Sequence, residues 1–415
     1  MSKHRILFVV TNFIVFNAYL PVIRQVERNN IDFDVLLIPL ERLGNNLLLV
    51  TGVAEYAESF GYTVLREIPQ NREYDVAYSP YPTCFKELAQ SNSIKYHVRL
   101  TYSVSGANKP HLSCPQSIFN FYDYVLCFCK QDAAMFAGHA ETRAIGNIKL
   151  AGYQRTRITP ADQKTILYLP TWGTSTLTNS SAKADLFAKL EGLRDKYQII
   201  AKMHIATAHF KEERKRRDLF SGFDGGYDDK TTASDMLNDA DVVLSDLSSA
   251  AFDAIAGDVP LALFGLGEPV YYGGKLCLHQ QLVKDDIIPG TNDINELESV
   301  IEKALSPEYF TKQQQLKKEM FPYEGQECLD AFMRFQNDLF EDRVDPWYIA
   351  TRRALREDYL HAQKQAQTNL NKQKEMFLVL QKQIEQYETS SSWKLTAPLR
   401  RMGTLARRIV APIHK

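Results

Sequence analysis

Short apolar runs alternate with helical patterns along the first 150 residues of the chain. Residues 6–10 and 124–129 are apolar runs with the length of buried strands, and residues 18–27 repeat apolar side chains at helical spacing. Strands separated by helices of this length build βαβ units, whose right-handed crossovers give a parallel sheet with helices on both faces. We therefore predict a Rossmann-like domain over residues 1–150.

A second unit with the same alternation begins near residue 163. Its predicted strands are residues 165–169, 197–203, 242–245 and 261–264, and its predicted helices are residues 182–196, 234–238, 248–256 and 294–304. Two α/β units in succession predict two Rossmann-like domains that face a cleft, with the second domain over residues 151–345. Ligands of open α/β sheets bind at the carboxyl ends of the strands, so residues there are the first candidates for a site.

The chain changes character after residue 345. Leu370, Phe377 and Ile384 recur every seven residues in a polar helical pattern, which predicts a long helix or a short coiled coil over residues 346–388. Residues 389–415 hold six Lys and Arg, no acidic residue, and interleaved apolar side chains. Such a basic amphipathic tail can lie on an anionic membrane surface, and a solvated tail or a linker to a partner is the equal alternative.

Composition limits the function classes. The 49 Lys and Arg balance 50 Asp and Glu, so the chain lacks the basic excess of a nucleic-acid binder. Hydrophobic residues make up 45% of 415 residues, enough for a large core. The six cysteines form no C-x-x-C pair, which favours reduced thiols in a reducing cytoplasm. With no apolar stretch of spanning length, we expect a cytoplasmic protein, attached peripherally to the inner face of the membrane by its tail.

The richest segment is Asp246 with the two serines that follow it. A predicted strand delivers the chain to Asp246, and Ser248 and Ser249 then open a predicted helix. Helix amino termini carry unpaired N–H groups and partial positive charge, so they suit phosphate, and the hydroxyls add donors. Alternatively, Asp246 or Ser248 only caps the helix.

Two further predicted strand ends carry polar or aromatic side chains. His204 ends the strand that contains Lys202, on the same face by strand alternation, and can serve as a base or as a phosphate donor. Thr171 and Trp172 follow the strand 165–169, where the tryptophan either stacks on a base or closes the core. These strand ends, together with Ser248 and Ser249, predict one site at one edge of the second sheet.

These segments, in this order, resemble the CDP-glycerol glycerophosphotransferase family of teichoic-acid and capsule-polymer enzymes. Residues 169–172 (LPTW) are similar to its A-P-T-W strand end, residues 202–205 (KMHI) to its P-H-P, and residues 246–249 (DLSS) to its D-Y-S-S turn. Residues 152–155 (GYQR) are similar to its G-x-P-R turn between domains. The resemblance covers roughly residues 140–305.

The resemblance implies a GT-B-like transferase that moves glycerol phosphate or a related alditol phosphate from a CDP-activated donor to a glycan or lipid-linked hydroxyl, releasing CMP. His204 and Asp246 are the implied catalytic residues. The donor phosphate and nucleotide would be bound by Ser248, Ser249, Thr171, Trp172, Arg155 and Lys202. No cofactor and no metal are expected, because the cytidine nucleotide is the substrate and acidic ligands do not cluster at the strand ends.

The predicted acceptor side departs from the family. The family's first domain usually carries an H-G-T-P turn whose histidine serves the acceptor hydroxyl, whereas residues 100–109 here contain no histidine. The acceptor-side candidates are therefore Tyr102, Ser103, Ser105 and the flanking His97. Two alternatives stay open: a GT-B glycosyltransferase using a CMP- or CDP-activated sugar of the Kdo type, and a non-catalytic scaffold that uses the coiled coil to organise an assembly complex. Whichever applies, the coiled coil predicts an oligomer or a bound partner.

An independent resemblance lies near the end of the chain. Residues 391–400 (SSWKLTAPLR) resemble an S-W-(R/K)-x-T-x-P-L-R segment found near the ends of many O-antigen and capsule glycosyltransferases. This segment favours a role in bacterial surface polysaccharide assembly without specifying one reaction.

Overall fold

A computed structural model describes residues 4–38, 52–80, 84, 88, 91, 93–104, 122–138, 140–157, 163–171, 180–204, 211–223, 230–272, 274–391 and 396. The chain divides into two compact units, Met1–Arg352 and Arg353–Lys415. Of the candidate site residues, Trp172 and Ser105 lie outside the described residues, as does most of the basic tail.

Seven parallel strands among the described residues form the first sheet. They are β1 (Arg5–Val10), β2 (Asp32–Leu37), β3 (Val64–Leu65), β4 (Tyr74–Ser79), β5 (Ile94–Leu100), β6 (Tyr124–Cys127) and β7 (Glu141–Ala144). They pair in the order β3-β2-β1-β4-β5-β6-β7. The central strands are buried on both faces, which explains their nearly continuous apolar sequences. The edge strand β7 was not predicted, because its sequence is polar and only partly buried.

Helices α1 (Phe13–Arg28), α2 (Val53–Glu58) and α3 (Lys130–Phe136) pack beside this sheet. Helix α1 begins directly after β1, where the Asn12 side chain accepts a hydrogen bond from the Val15 N–H at 3.0 Å. This cap satisfies one of the unpaired donors of the first turn. At the same end of the sheet, the Tyr19 hydroxyl donates to the Leu100 carbonyl at 2.5 Å and ties α1 to the end of β5.

The second sheet has five parallel strands within the described residues. The remaining strands of the unit are β8 (Lys164–Leu169), β9 (Tyr197–Ala201), β10 (Val242–Ser245), β11 (Leu261–Phe264), β12 (Tyr271–Tyr272), β13 (Lys275–Leu276) and β14 (Gly290–Thr291). The order in the sheet is β14-β11-β10-β8-β9, and β12 pairs with β13 in a separate antiparallel hairpin. Two parallel α/β sheets confirm the predicted fold class of two Rossmann-like domains.

Helices lie between and after these strands in the sequence. They are α4 (Ser180–Glu191), α5 (Lys211–Leu219), α6 (Ala250–Ala256), α7 (Leu278–Lys284), α8 (Leu297–Ala304) and α9 (Pro307–Met320). Helix α9 is held on the second sheet by Gln313, whose side-chain oxygen accepts from the Leu261 N–H at 3.0 Å and whose amide donates to the Val259 carbonyl at 2.7 Å.

Helix α10 (Gln326–Phe340) returns the chain to the first sheet. The Tyr78 hydroxyl on β4 donates to Gln336 at 2.5 Å, and the Tyr78 ring lies 5.0 Å from the ring of Phe332. Buried apolar residues of both sheets and of α10 form one continuous core. The two sheets are therefore joined by a packed crossing helix as well as by the segment between β7 and β8.

The last helix of the described chain is α11 (Pro346–Thr389), 44 residues long. Its beginning belongs to the first unit: the Tyr348 hydroxyl donates to the Asp123 carbonyl at 2.6 Å, and Arg352 donates to the Tyr122 carbonyl at 3.0 Å. From Arg353 onward the helix belongs to the second unit. Among the described helices, none combines the length and apolarity that a membrane span requires.

Candidate functional site

Asp246 joins two adjacent loops at the carboxyl edge of the second sheet. Strands β8 and β10 are neighbours and end at Leu169 and Ser245. The Asp246 Oδ1 atom accepts from the Thr171 N–H at 2.8 Å and from the Ser248 N–H at 3.0 Å. With Asp246 only 1% exposed, these charge-assisted bonds are shielded from water and fix both loops against each other. The structure thus brings Thr171, Asp246 and Ser248 together, and gives Asp246 a positioning role.

Ser248 and Ser249 form a turn before helix α6, which we call the serine turn. A histidine that the sequence did not indicate binds the backbone of this turn. Helix α6 begins at Ala250, two residues later than predicted, because Ser248 and Ser249 form the turn before it. The buried His279 ring, at the start of α7, donates from Nε2 to the Ser248 carbonyl at 2.9 Å and packs edge-on against Phe252. The Ser248 Oγ accepts from the Ala250 N–H at 3.3 Å, which leaves its own hydrogen for donation.

His204 lies beyond the end of its strand. Strand β9 ends at Ala201 and not at residue 203, although the Lys202 N–H still donates to the Tyr168 carbonyl at 3.0 Å. The next bond of a parallel ladder would come from the N–H of residue 170, and Pro170 has none. Lys202 and His204 therefore lie in a loop at the carboxyl edge, where both are partly exposed. Because they lie beyond the strand, strand alternation does not place them on the same face, as the sequence had predicted.

Arg155 lies at the other end of β10. Its guanidinium donates to the carbonyls of Leu237 at 3.2 Å and Ala240 at 2.9 Å, which precede the strand, whereas Ser248 follows it. A four-residue strand separates its ends by about 13 Å. The structure does not bring Arg155 together with the serine turn. The next arginine, Arg157, reinforces the same end by pairing with Asp241 at 2.8 Å.

A buried ion pair anchors α6 to the segment that joins the sheets. The Lys149 Nζ lies 2.5 Å from one carboxylate oxygen of Asp253, and the Asn147 amide donates to the other at 2.9 Å. Asp253 follows Phe252 in the region that carries the family resemblance. These contacts hold helix α6, and with it the serine turn at its amino end, against the joining segment.

Two clefts, of about 620 and 540 Å³, border this joining segment and share the lining residues 150–153. The larger one is also lined by Arg155, Asp258, Lys317 and Glu324. Burial lowers the pKa of Lys317, but its hydrogen bonds to Asp258 and Glu324 outweigh burial and leave the pKa raised. The ammonium group therefore stays charged inside this cleft. Both clefts are lined by residues other than those of the carboxyl edge.

The acceptor-side candidates are divided between the middle and the end of β5. His97 is 2% exposed in mid-strand, where its N–H donates to the Asp123 carboxylate at 2.8 Å. Tyr102 and Ser103 follow the strand at its carboxyl end, with Ser103 buried and Tyr102 packed on the core. Of the acceptor-side candidates that the structure describes, Tyr102 and Ser103 thus lie at the edge where an acceptor is expected, and His97 does not.

Two buried threonines at this edge were missed by sequence reasoning. Thr11 follows β1 and Thr101 follows β5; they are 0% and 1% exposed. The hydroxyl oxygens of both lack a hydrogen-bond partner among the residues that the structure describes. Buried hydroxyls normally find partners, so these two are unused hydrogen-bonding groups at the strand ends. A threonine immediately after an apolar strand is the one sequence signal that marks both.

No metal centre accompanies these residues in the described part of the chain: no group of three or more His, Cys, Asp or Glu side chains there could hold an ion. The described cysteines, at positions 84, 127, 129, 277 and 328, are buried free thiols. Burial raises the pKa of Cys129 well above its usual value, so this thiol stays protonated.

Two parallel α/β sheets in succession, each with polar residues at its strand ends, are typical of the GT-B-like class. Residues 148–324 match the family described as CDP-Glycerol:Poly(glycerophosphate) glycerophosphotransferase, which confirms the resemblance over the second sheet and identifies the chain as a transferase. No significant match is found among curated proteins.

Solved structures share the fold at low identity. The MnaA–UDP complex of S. aureus has a TM-score of 0.53 at 10% identity, covering 82% of this chain and 97% of its own. A UDP-N-acetylglucosamine 2-epimerase has 0.53 at 11%, covering 83% and 98%. The wall teichoic acid polymerase TagF, in a variant soaked with CDPG, has 0.50 at 14%, covering 83% and 91%. At these identities the likeness supports the fold alone.

Proposed function

We propose that this chain transfers glycerol phosphate, or a related alditol phosphate, from a CDP-activated donor to a hydroxyl of a glycan or lipid-linked acceptor. The family match over residues 148–324 carries this proposal, because it covers the edge formed by Thr171, His204, Asp246 and Ser248. The product is part of a bacterial surface polymer such as a teichoic-acid-like chain, capsule or O-antigen.

In the proposed reaction, the acceptor hydroxyl loses its proton to solvent, and its oxygen forms a bond to the distal phosphorus of the donor as the bond from that phosphorus to the bridging oxygen breaks. CMP leaves with the electron pair of that bond. Ser248 and Ser249 hold the diphosphate, and Asp246 keeps their turn against the Thr171 loop. His204 and Lys202 supply positive charge or hydrogen bonds to the phosphate oxygens. Positioning and charge neutralisation account for most of the acceleration, and no cofactor takes part.

Nucleotide release from a panel of donors tests the proposal. Purified chain is incubated with CDP-glycerol, CDP-ribitol and CMP-activated sugars, and CMP is measured by chromatography. CMP from a CDP-alditol supports the assignment, and a Ser248→Ala/Ser249→Ala double variant should lose it. Release from CMP-sugars alone would instead identify a glycosyltransferase. A chain that releases CMP from none of them, with or without glycan acceptors, is a scaffold.

We also propose that the basic tail attaches the enzyme to the cytoplasmic face of the membrane, where lipid-linked acceptors are found. Six basic residues contribute about 1 kcal/mol each near an anionic surface, and the interleaved apolar side chains add burial without spanning. Full-length protein should sediment with anionic liposomes at low salt and release at high salt. A chain truncated before Thr389 should stay in solution with its transferase activity intact. Equal sedimentation of both forms refutes attachment by the tail.

A further inference from the structure

The described residues of the second unit include a series of exposed large apolar side chains. Between Arg353 and Thr389, helix α11 exposes 40–70% of each of nine large apolar residues. They are Leu355, Leu370, Met376, Phe377, Leu378, Val379, Leu380, Ile384 and Tyr387. Helices in proteins gain most of their stability from packing an apolar face, so a helix with this surface requires a partner.

Most of these residues follow a seven-residue repeat. Leu370, Phe377 and Ile384 occupy one heptad position, and Ala366, Gln373, Leu380 and Tyr387 occupy the position three residues further on. We call these seven residues the seam. A spacing that alternates between three and four matches the 3.5-residue period of a supercoiled helix pair, and not the wider face by which a single helix packs on a globular core.

The size and charge of this surface favour a second helix over a membrane. The seam leaves roughly 500 Å² of side chain open per helix, and two such surfaces reach about the 1,000 Å² of a specific interface. Residues 361–389 hold four Lys, no Arg and three Glu, so the helix is nearly neutral. Helices that bind anionic membrane surfaces are rich in basic residues on their polar face, and α11 lacks that enrichment.

Gln373 decides how two copies of the helix would pair. In a parallel pair it faces Gln373 of the other copy, and the two side-chain amides can donate to and accept from each other. In an antiparallel pair centred on the apolar seam it faces Ile384, which leaves a buried amide unsatisfied. The parallel pairing also sets no like charges against each other at the flanking position of Lys374, which faces Asn369.

We propose that residues 366–387 form a parallel two-stranded coiled coil with a second copy of this chain, so that the transferase is a homodimer. The dimer does not depend on which donor the active site uses. Gln373 fixes the register and direction of the pair, in the way that a single polar residue within an apolar seam does in other coiled coils.

A pair of matched substitutions tests the seam. Leu380 lies in the seam and Leu378 does not, although both are leucines of the same helix, exposed by 48% and 57%. The full-length parent should have about twice the 47.4 kDa mass of one chain in light scattering. Leu380→Glu should weaken the dimer at least about 100-fold, because the charge is buried in both copies, whereas Leu378→Glu should leave it unchanged.

Three outcomes would overturn the dimer. These are a parent that is monomeric at tens of micromolar, equal weakening by both substitutions, and a monomeric parent whose binding to phosphatidylglycerol vesicles is lost only in Leu380→Glu. The last of these identifies a membrane as the occupant of the seam. Circular dichroism of both variants checks that helix content is kept.

Disulfide cross-linking tests the direction. Gln373→Cys should give a covalent dimer on mild oxidation, because a parallel pair brings the two introduced sulfur atoms together across the seam. Lys372→Cys, one position away and outside the seam, is the control and should cross-link little. The described native cysteines are buried, and oxidation of the parent chain measures any cross-linking that the native cysteines cause. A dimer by light scattering that does not cross-link through Gln373→Cys refutes the parallel arrangement.

Discussion

At the carboxyl edge of the second sheet, one carboxylate binds the backbone of two loops: Asp246 accepts from the Thr171 and Ser248 N–H groups. At the carboxyl edge of the first sheet, Thr11 and Thr101 are as deeply buried, yet their hydroxyls have no partner among the described residues. At the second sheet a buried carboxylate pairs with the backbone of two loops, while at the first sheet two buried hydroxyls have no hydrogen-bond partner among the described residues.

This difference corresponds to what each edge is proposed to bind. A nucleotide diphosphate is the same group throughout a family, so a fixed turn with preset donors serves it well. Acceptors differ between polymers, and the edge that binds them has less reason to keep a shared motif. The family match accordingly covers residues 148–324 and not the first sheet.

The largest effect is expected from His204. We predict that His204→Ala lowers the transfer rate by about 10²–10⁴-fold, the range for losing a group that moves protons or stabilises charge in the transition state. His361→Ala is the matched control, since His361 is exposed on α11. Initial rates of CMP release measure the effect, and circular dichroism confirms folding. A variant that keeps most of its activity removes His204 from the site.

Substitution of Asp246 tests whether its two hydrogen bonds hold the Thr171 loop and the serine turn together. Asp246→Ala leaves two buried N–H groups without their acceptor and should cost about 2–4 kcal/mol of unfolding free energy. Asp246→Asn keeps an oxygen at the Oδ1 position and should lose less. Denaturant unfolding and donor calorimetry measure both changes. Equal stability of the alanine variant and the parent would show that Asp246 does not hold the loops.

The strands of both sheets were largely predictable because buried parallel strands have an apolar sequence. Residues 242–245 and 261–264 were predicted as strands with the bounds that the structure gives them. Strands β7, β12, β13 and β14 and helices α5, α7, α9 and α10 were not predicted. Helix α10 owes its place to partners far away in sequence, such as Tyr78, which local periodicity does not reveal.

The candidate site was predictable only as far as strand ends identify it. Thr171, Asp246 and Ser248 converge because β8 and β10 are neighbours, an order that follows from the fold. Arg155 belongs to a motif that accompanies theirs in the family resemblance, but it is not near them in space. Its partners Leu237 and Ala240 precede β10, whereas Asp246 and Ser248 follow it. His279 comes from a hairpin and helix with no motif of their own, so only the structure places it under Ser248.

Substitutions in the serine turn should weaken binding of the donor more than they lower the rate of transfer. Ser248→Ala and Ser249→Ala each remove a hydrogen bond to a charged phosphate, worth about 1.5–3 kcal/mol, or roughly 10–150-fold in the dissociation constant. Ser245→Ala is the control, because its hydroxyl donates to the Leu169 carbonyl inside the sheet. Calorimetry with the nucleotide measures binding. If both turn variants bind as tightly as the parent, the phosphate lies elsewhere.

The smallest effect bears most directly on the difference between the edges. Thr101→Val removes a buried hydroxyl that has no partner among the described residues, so it should raise the unfolding free energy by about 1 kcal/mol while keeping the shape of the side chain. Thr165→Val is the matched control in the second sheet: its hydroxyl, equally buried, donates to Gln198 at 3.2 Å, and the substitution should destabilise. If Thr101 serves the acceptor, the stabilised variant will also show a higher acceptor KM with donor binding unchanged. A Thr101→Val variant that loses stability as Thr165→Val does would mean that the Thr101 hydroxyl is paired in the folded protein, and the unused hydrogen-bonding capacity assigned to the first edge would have to be withdrawn.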